Sequence, residues 1–164
     1  MFNLKNIRSD FPILAKTRNN KPFIYFDNAA TTQKPKVVID KICDFYSNYN
    51  SNIQRGMYFL ADKATSEYEK SREIISKFLN SNLKEEVIFT SGTTHSVNMV
   101  AFGYLKKLVS KGDEVLIGEM EHHANIVPWQ VVASKLELKI IPIKCCENGK
   151  IKLDDLIKKI NPKV

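Results

Sequence analysis

An α/β fold built on a mostly parallel sheet is predicted by three observations. The second half of the chain alternates short apolar runs with helix-periodic stretches: strands at 86–90, 114–118 and 138–143, helices at 94–109, 125–136 and 153–160. Turn residues punctuate the alternation, as at Lys111-Gly112-Asp113 between the first of these helices and the second strand. Strand and helix in that order form βαβ units with right-handed crossovers. Bulk composition agrees, since 164 residues with 43% hydrophobic and 26% charged side chains can build a packed core.

The first half reads less regularly. Leu4, Ile7 and Phe11 share one helical face, and Pro12 stops that helix. Residues 13–22 are polar and loop-like. Phe23-Ile24-Tyr25-Phe26, bounded by Pro22 and Asp27, predicts a strand, and Asp27 to Gln33 a turn. Pro35 opens a helix with the stripe Val38, Ile42, Phe45 and Tyr49. Residues 47–58 are an Asn/Ser-rich loop. A longer helix follows over 61–79, with Ala64, Tyr68, Ile75, Phe78 and Leu79 inward and Glu69 and Glu73 toward water. The expected organisation is an N-terminal arm over 1–22 and a large domain over 23–164. Three strands cannot bury both faces of three helices, so the sheet is expected to continue past Val164 and the chain to be a fragment.

Charge and cysteines narrow the classes. Net charge is +7, but only four of the 25 basic residues are arginine, and the lysines are scattered among acids. That pattern is a solvated face rather than a nucleic-acid reader, which favours arginine at base edges. Cys43, Cys145 and Cys146 form no CxxC pair, which argues against a metal site and for reduced thiols. Cys43 falls at helical spacing with Ile39 and Tyr46 and is expected in the core. The N-terminus is too polar for a signal peptide, and no apolar run reaches membrane-spanning length. A cytoplasmic protein is expected, or an organellar one whose presequence has been removed.

Three segments carry chemistry. After the strand Val87-Ile88-Phe89, Gly92 permits a sharp turn, and Thr93 and Thr94 offer hydroxyls beside the free amides of a helix start. Such a terminus cradles phosphate, and the same residues also make an ordinary helix cap. It is not a P-loop, because the lysine is missing. Glu121-His122-His123 follows the strand Val115-Leu116-Ile117, whose end shares an edge with the first turn. His122 can stack on an aromatic ring or move a proton near neutral pH, or simply cap the next helix. Asp27-Asn28-Ala29-Ala30-Thr31-Thr32 allows close approach of a ligand to the backbone, or is only a tight turn.

Taken together, Tyr25 to Pro35, Arg55-Gly56, Phe89-Thr90-Ser91-Gly92-Thr93-Thr94 and Gly118 to Trp129 closely resemble, in order and spacing, the signatures of cysteine desulfurases of the Suf type (group II). The resemblance runs from Asp10-Phe11-Pro12 to the end. It covers the first two-fifths or so of a full family member. It implies the aspartate-aminotransferase-like fold, fold-type I of the pyridoxal-phosphate-dependent transferases, in a homodimer.

It further implies pyridoxal 5'-phosphate as cofactor, with Gly92, Thr93 and Thr94 at its phosphate. His122 would stack on its ring and move protons, and Asn28 and Ala29 would stand at the substrate. The implied reaction takes sulfur from L-cysteine, leaving L-alanine and an enzyme persulfide for iron–sulfur cluster assembly through a Suf-type acceptor protein. A selenocysteine lyase, another class-V aminotransferase relative and a non-catalytic remnant are the alternatives. The family's Schiff-base Lys, pyridine-pairing Asp, carboxylate-binding Arg and persulfide Cys lie beyond residue 164, so the chain alone is expected to be inactive. Gln54, Ser91 and His95 depart from the pattern, standing where many relatives have His, Arg and Glu.

Overall fold

The computed structural model describes residues 3–164. The chain folds as two units that divide between Val87 and Ile88. Among the described residues no helix is long and apolar enough to cross a membrane.

In the first unit, helix α1 (Leu4–Ser9) starts at Asn3, whose side chain accepts the Asn6 amide at 3.2 Å. Pro12 opens a 3₁₀ turn, Pro12–Ala15, where its fixed φ fits and its missing N–H costs nothing. The expected loop at 13–22 contains a small hairpin. Strands β1 (Thr17–Arg18) and β2 (Lys21–Pro22) pair antiparallel across Asn19 and Asn20, both left-handed with φ of 52° and 60°. Asn tolerates that conformation, and paired positive φ values match the twist of a hairpin. The strand predicted at 23–26 is absent. Phe23 donates to the Lys16 carbonyl and accepts from Arg8, but no ladder forms, and Phe26 is 95% exposed.

Pro35 is the N-cap of helix α2 (Lys36–Asn48) rather than its first residue. Helix α3 (Phe59–Leu79) begins two residues before the expected 61 and ends at left-handed Asn80. Between them, a Cβ on Gly56 would stand 2.2 Å from the Ala61 Cβ, so only glycine fits there. Tyr49, Ala61 and Ala64 are buried, while Ile75, Phe78 and Leu79 lie exposed, contrary to the expected stripe. Glu69 is half-buried, not solvated, and pairs with Lys84 at 3.2 Å and Arg72 at 3.9 Å. Cys43 is exposed together with Ile39 and Tyr46, so the core position read from its spacing is corrected.

In the second unit the strand predicted at 86–90 is also absent. Lys84–Glu86 is a 3₁₀ turn closing the first unit, and residues 87–90 find no partner strand. The helix expected over 94–109 is α4 (Thr93–Asn98), a π-helical turn Met99–Tyr104 and a 3₁₀ turn Leu105–Lys107. The Asn98 side-chain amide donates to the Thr94 carbonyl at 2.7 Å and competes there for the acceptor of the α register.

Strand β3 (Glu114–Gly118) pairs parallel with β4 (Lys139–Ile143), Glu114 opposite Lys139 and Gly118 opposite Ile143. A 3₁₀ turn, His123–Asn125, and helix α5 (Val127–Leu136) make the crossover, so the helix starts two residues after the expected 125. Helix α6 (Leu153–Lys159) follows. Ala101 from the π turn, Ile117, Val132, Ala133 and Ile143 form the core of this unit.

That core is thin. Exposed surface totals 13288 Å², whereas even two separate well-packed units of half the mass would expose only about 10,000 Å². Met57, Phe59 and Phe78 are among the large apolar side chains left in water.

Helix α6 is docked by charge. Asp155 accepts the Lys144 amide at 3.0 Å and Lys159 Nζ at 2.6 Å, and Lys159 also donates to the Pro142 carbonyl. The Lys159 bond, then the Lys144 amide, hold the Asp155 carboxyl below its usual range. A depressed carboxyl stabilises the fold above its unfolded-state value near 3.9 and loses that contribution as pH falls through its folded value. Asp155→Asn, which keeps an acceptor for Lys144, is expected to flatten the acid limb of the stability–pH curve, read by urea denaturation from pH 6 to about 2.5.

Candidate functional site

The turn before α4 is shaped by one residue. Gly92 has φ 148° and ψ 175°, a conformation essentially confined to glycine. A Cβ there would meet nothing within 4 Å, so the requirement is conformational rather than steric. Thr90 braces the turn: its Oγ1 lies 2.7 Å from Ser96 Oγ and accepts the Gly92 amide at 3.4 Å. Ser96 closes the loop from the other side, its amide donating to the Gly92 carbonyl at 3.0 Å.

What the turn leaves open is its chemistry. No acceptor among the described residues takes the amides or hydroxyls of Thr93 and Thr94, and both residues are exposed. Unpaired donors aligned with the partial positive charge of a helix start suit an anion with several oxygens. His95, in the first turn of α4, reaches back so that Nδ1 lies 3.1 Å from Ser91 Oγ and 3.4 Å from the Ser91 amide. It meets the residue before the N-cap, whereas the N-cap amide of Gly92 is taken by Thr90.

The second element is set by the parallel sheet. Because β3 and β4 run the same way, both end at one edge, where the Glu119 amide donates to the Ile143 carbonyl at 3.1 Å. The chain then turns through Glu121 and His122 into His123–Asn125, and that 3₁₀ turn touches α4. The turn that follows His122 therefore packs against the helix that follows Gly92. His122 Nδ1 accepts the Ala124 amide at 3.1 Å. That bond assigns the neutral ring its proton on Nε2, which has no partner among the described residues and faces an exposed surface. His122 is thus both a cap, as one reading of the sequence had it, and a ring with a free proton-carrying nitrogen.

Asn28 and Ala29 lie in the first unit. The Asn28 side chain accepts the Gln33 amide at 3.2 Å, and its carbonyl accepts from Thr32 Oγ1 at 3.0 Å. Tyr25 straps the same turn through the Asp27 and Thr31 carbonyls. Asn28 also lines a groove of about 390 Å³ with Leu4, Ile7, Phe11 and Ile24. Cys145 and Cys146 are half-buried in a hairpin, and no group of three or more metal-ligating side chains occurs among the described residues. Sequence reading gave no role to Thr90, Ser96 and Asn125. Their only signal was a hydroxyl or amide two to four residues from the residue it braces.

A phosphate-bearing cofactor of the kind the motifs imply fits the residues present. The Thr93 and Thr94 donors are unclaimed, and Gly92 leaves the turn bare of side chain.

Residues 24–164 match the family model described as Aminotransferase class-V. The chain is 46% identical over 164 residues to a probable cysteine desulfurase of Staphylococcus epidermidis, covering 99% of this chain and 39% of that protein. It is 44% identical over 156 residues to a cysteine desulfurase of Synechococcus elongatus, covering 94% of this chain and 25% of the relative. Among solved structures, an apo cysteine desulfurase from Thermococcus onnurineus NA1 superposes with a TM-score of 0.87 at 36% identity, over 97% of this chain and 38% of that one. A cysteine desulfurase from Escherichia coli gives 0.76 at 30% identity, over 99% and 40%. The chain spans about two-fifths or less of the length of these relatives.

Gly92→Ala is expected to cost about 1–3 kcal/mol, since alanine must leave the native φ or pay for it. Chemical denaturation of the two proteins measures the difference. An unchanged midpoint would mean that the turn tolerates another conformation.

Proposed function

The chain belongs to the class-V aminotransferase family, and on that footing we propose that it forms the front part of a pyridoxal-phosphate-dependent cysteine desulfurase of the Suf type. In this reading residues 1–22 are an arm and 23–164 belong to the cofactor-binding domain of a homodimer acting in the cytoplasm. The substrate is L-cysteine, the products are L-alanine and sulfur passed as a persulfide, and the sulfur goes to a Suf-type acceptor. The observation that carries the reading is the unclaimed donor set of Thr93 and Thr94, at the start of a helix that touches the 3₁₀ turn following His122.

Pyridoxal phosphate, when bound, supplies an electron sink. The residues of this chain hold and orient it. The Thr93 and Thr94 amides and hydroxyls take phosphate oxygens, and the helix start adds its partial charge. Gly92 keeps the approach to that backbone clear. His122 offers a flat ring to stack against an aromatic face, with Nδ1 tied to the Ala124 amide and Nε2–H free to donate a hydrogen bond; the ring takes up a further proton only by releasing Ala124 from Nδ1. Asn28 and Ala29 form part of the substrate wall, the Asn28 side chain holding that turn in shape through Gln33.

The test is turnover by the full-length protein loaded with pyridoxal phosphate and given L-cysteine and a thiol reductant. Alanine and sulfide are expected in equal amounts, and His122→Ala is expected to lower kcat about a hundredfold or more. Failure to form either product would reject the reading.

A further inference from the structure

Three side chains beside His122 form a hydrogen-bonded ladder that the proposed reaction does not use directly. Trp129 Nε1 donates to Asn125 Oδ1 at 2.9 Å, and Asn125 Nδ2 donates to Glu121 Oε2 at 3.0 Å. The direction of the ladder is fixed, because an indole can only donate and so turns the Asn125 oxygen toward itself and the amide nitrogen toward Glu121. The spacing of four residues at each step stacks the three groups along the entry to α5. Space for the carboxylate comes from Gly118 at the end of β3, where a Cβ would stand 3.3 Å from Glu121 Oε1.

Asn125 also holds the histidine from the backbone. Its amide donates to the His122 carbonyl at 2.7 Å, while the Ala124 amide takes His122 Nδ1. The same asparagine thus carries the ladder through its side chain and the His122 peptide through its main chain. Trp129 is half-buried on α5 next to buried Pro128, so the ladder is anchored on a packed element, whereas His122 and Glu121 are exposed. An exposed ring held only by one amide would sample several orientations. Here its peptide is tied through Asn125 to the anchored indole.

We propose that Trp129, Asn125 and Glu121 are positioning residues that lock the orientation and Nε2–H tautomer of His122, given the role for His122 set out above. Trp129→Phe keeps the aromatic body and removes only the donor that orients Asn125. Glu121→Ala removes the far end of the ladder at an exposed position, where folding is not at stake.

The first measurement needs no cofactor and no substrate. In protein labelled with 15N-histidine, His122 is expected to show the fixed Nε2–H tautomer. In Trp129→Phe and in Glu121→Ala that signature is expected to collapse toward an averaged, exchanging one. Glu121→Gln, which still offers Asn125 an acceptor, is expected to restore it. In the holoenzyme the same two defective variants are expected to weaken the visible circular dichroism of the bound cofactor. They are also expected to lower kcat about tenfold with KM and thermal midpoint little changed.

A merely structural ladder would move the thermal midpoint and leave the tautomer signature as it was. An unchanged His122 signature in Glu121→Ala would overturn the proposal whatever the enzyme assay shows. A changed signature without any desulfurase activity would uphold the positioning and reject the assigned reaction.

Discussion

The parallel pairing of β3 with β4 is the constraint from which the second unit follows. Parallel strands must leave the sheet at the same edge, and the chain must cross back along a helix to rejoin it. That geometry sends the residues after Gly118 into a turn at the sheet edge and makes α5 the return path. His122 sits where the strand has ended and the helix has not begun. The contact of its 3₁₀ turn with α4 brings the two devices read in the sequence together. Had the pairing been antiparallel, a two-residue hairpin could have closed it, and no edge-facing turn of this length would be needed.

How much of this was legible depended on whether the signal was local. The run Val115-Leu116-Ile117 announced β3 with its observed ends, because an apolar run with two β-branched residues between turn signals leaves few alternatives. Residues 23–26 and 86–90 carry the same signal and form no strand, because a strand exists only with a ladder partner and the described residues supply none. The amphipathic spacing of Ile39, Cys43 and Tyr46 was real, yet it names only the face a helix offers, not whether anything covers it. The break of the 94–109 helix into α, π and 3₁₀ stretches was invisible to periodicity, which does not distinguish these helical registers.

The site was legible in type and not in mechanism. Gly92 and the two threonines pointed to a turn with free donors, and the structure leaves those of Thr93 and Thr94 unclaimed while Thr90 takes the Gly92 amide. The tautomer of His122 depends on one amide two residues away, which no spacing rule records. The ladder from Trp129 to Glu121 has the spacing of a helix, yet only Trp129 is in one, Asn125 lies in a 3₁₀ turn, and its meaning comes from the bond that Asn125 makes to the His122 carbonyl. The large exposed apolar area is the counterpart of this clarity, because short-range hydrogen bonds shape the site even where the surrounding core is thin.

The claim on which the account rests is that the Gly92–Thr94 turn and His122 grip one cofactor between them. The structure of the holoenzyme carrying pyridoxal phosphate tests it most directly. The account predicts phosphate oxygens within hydrogen-bonding distance of the Thr93 and Thr94 amides and hydroxyls, and the His122 ring stacked on the pyridine face. A phosphate held elsewhere in the protein, with the Thr93 and Thr94 donors left to solvent, would contradict it.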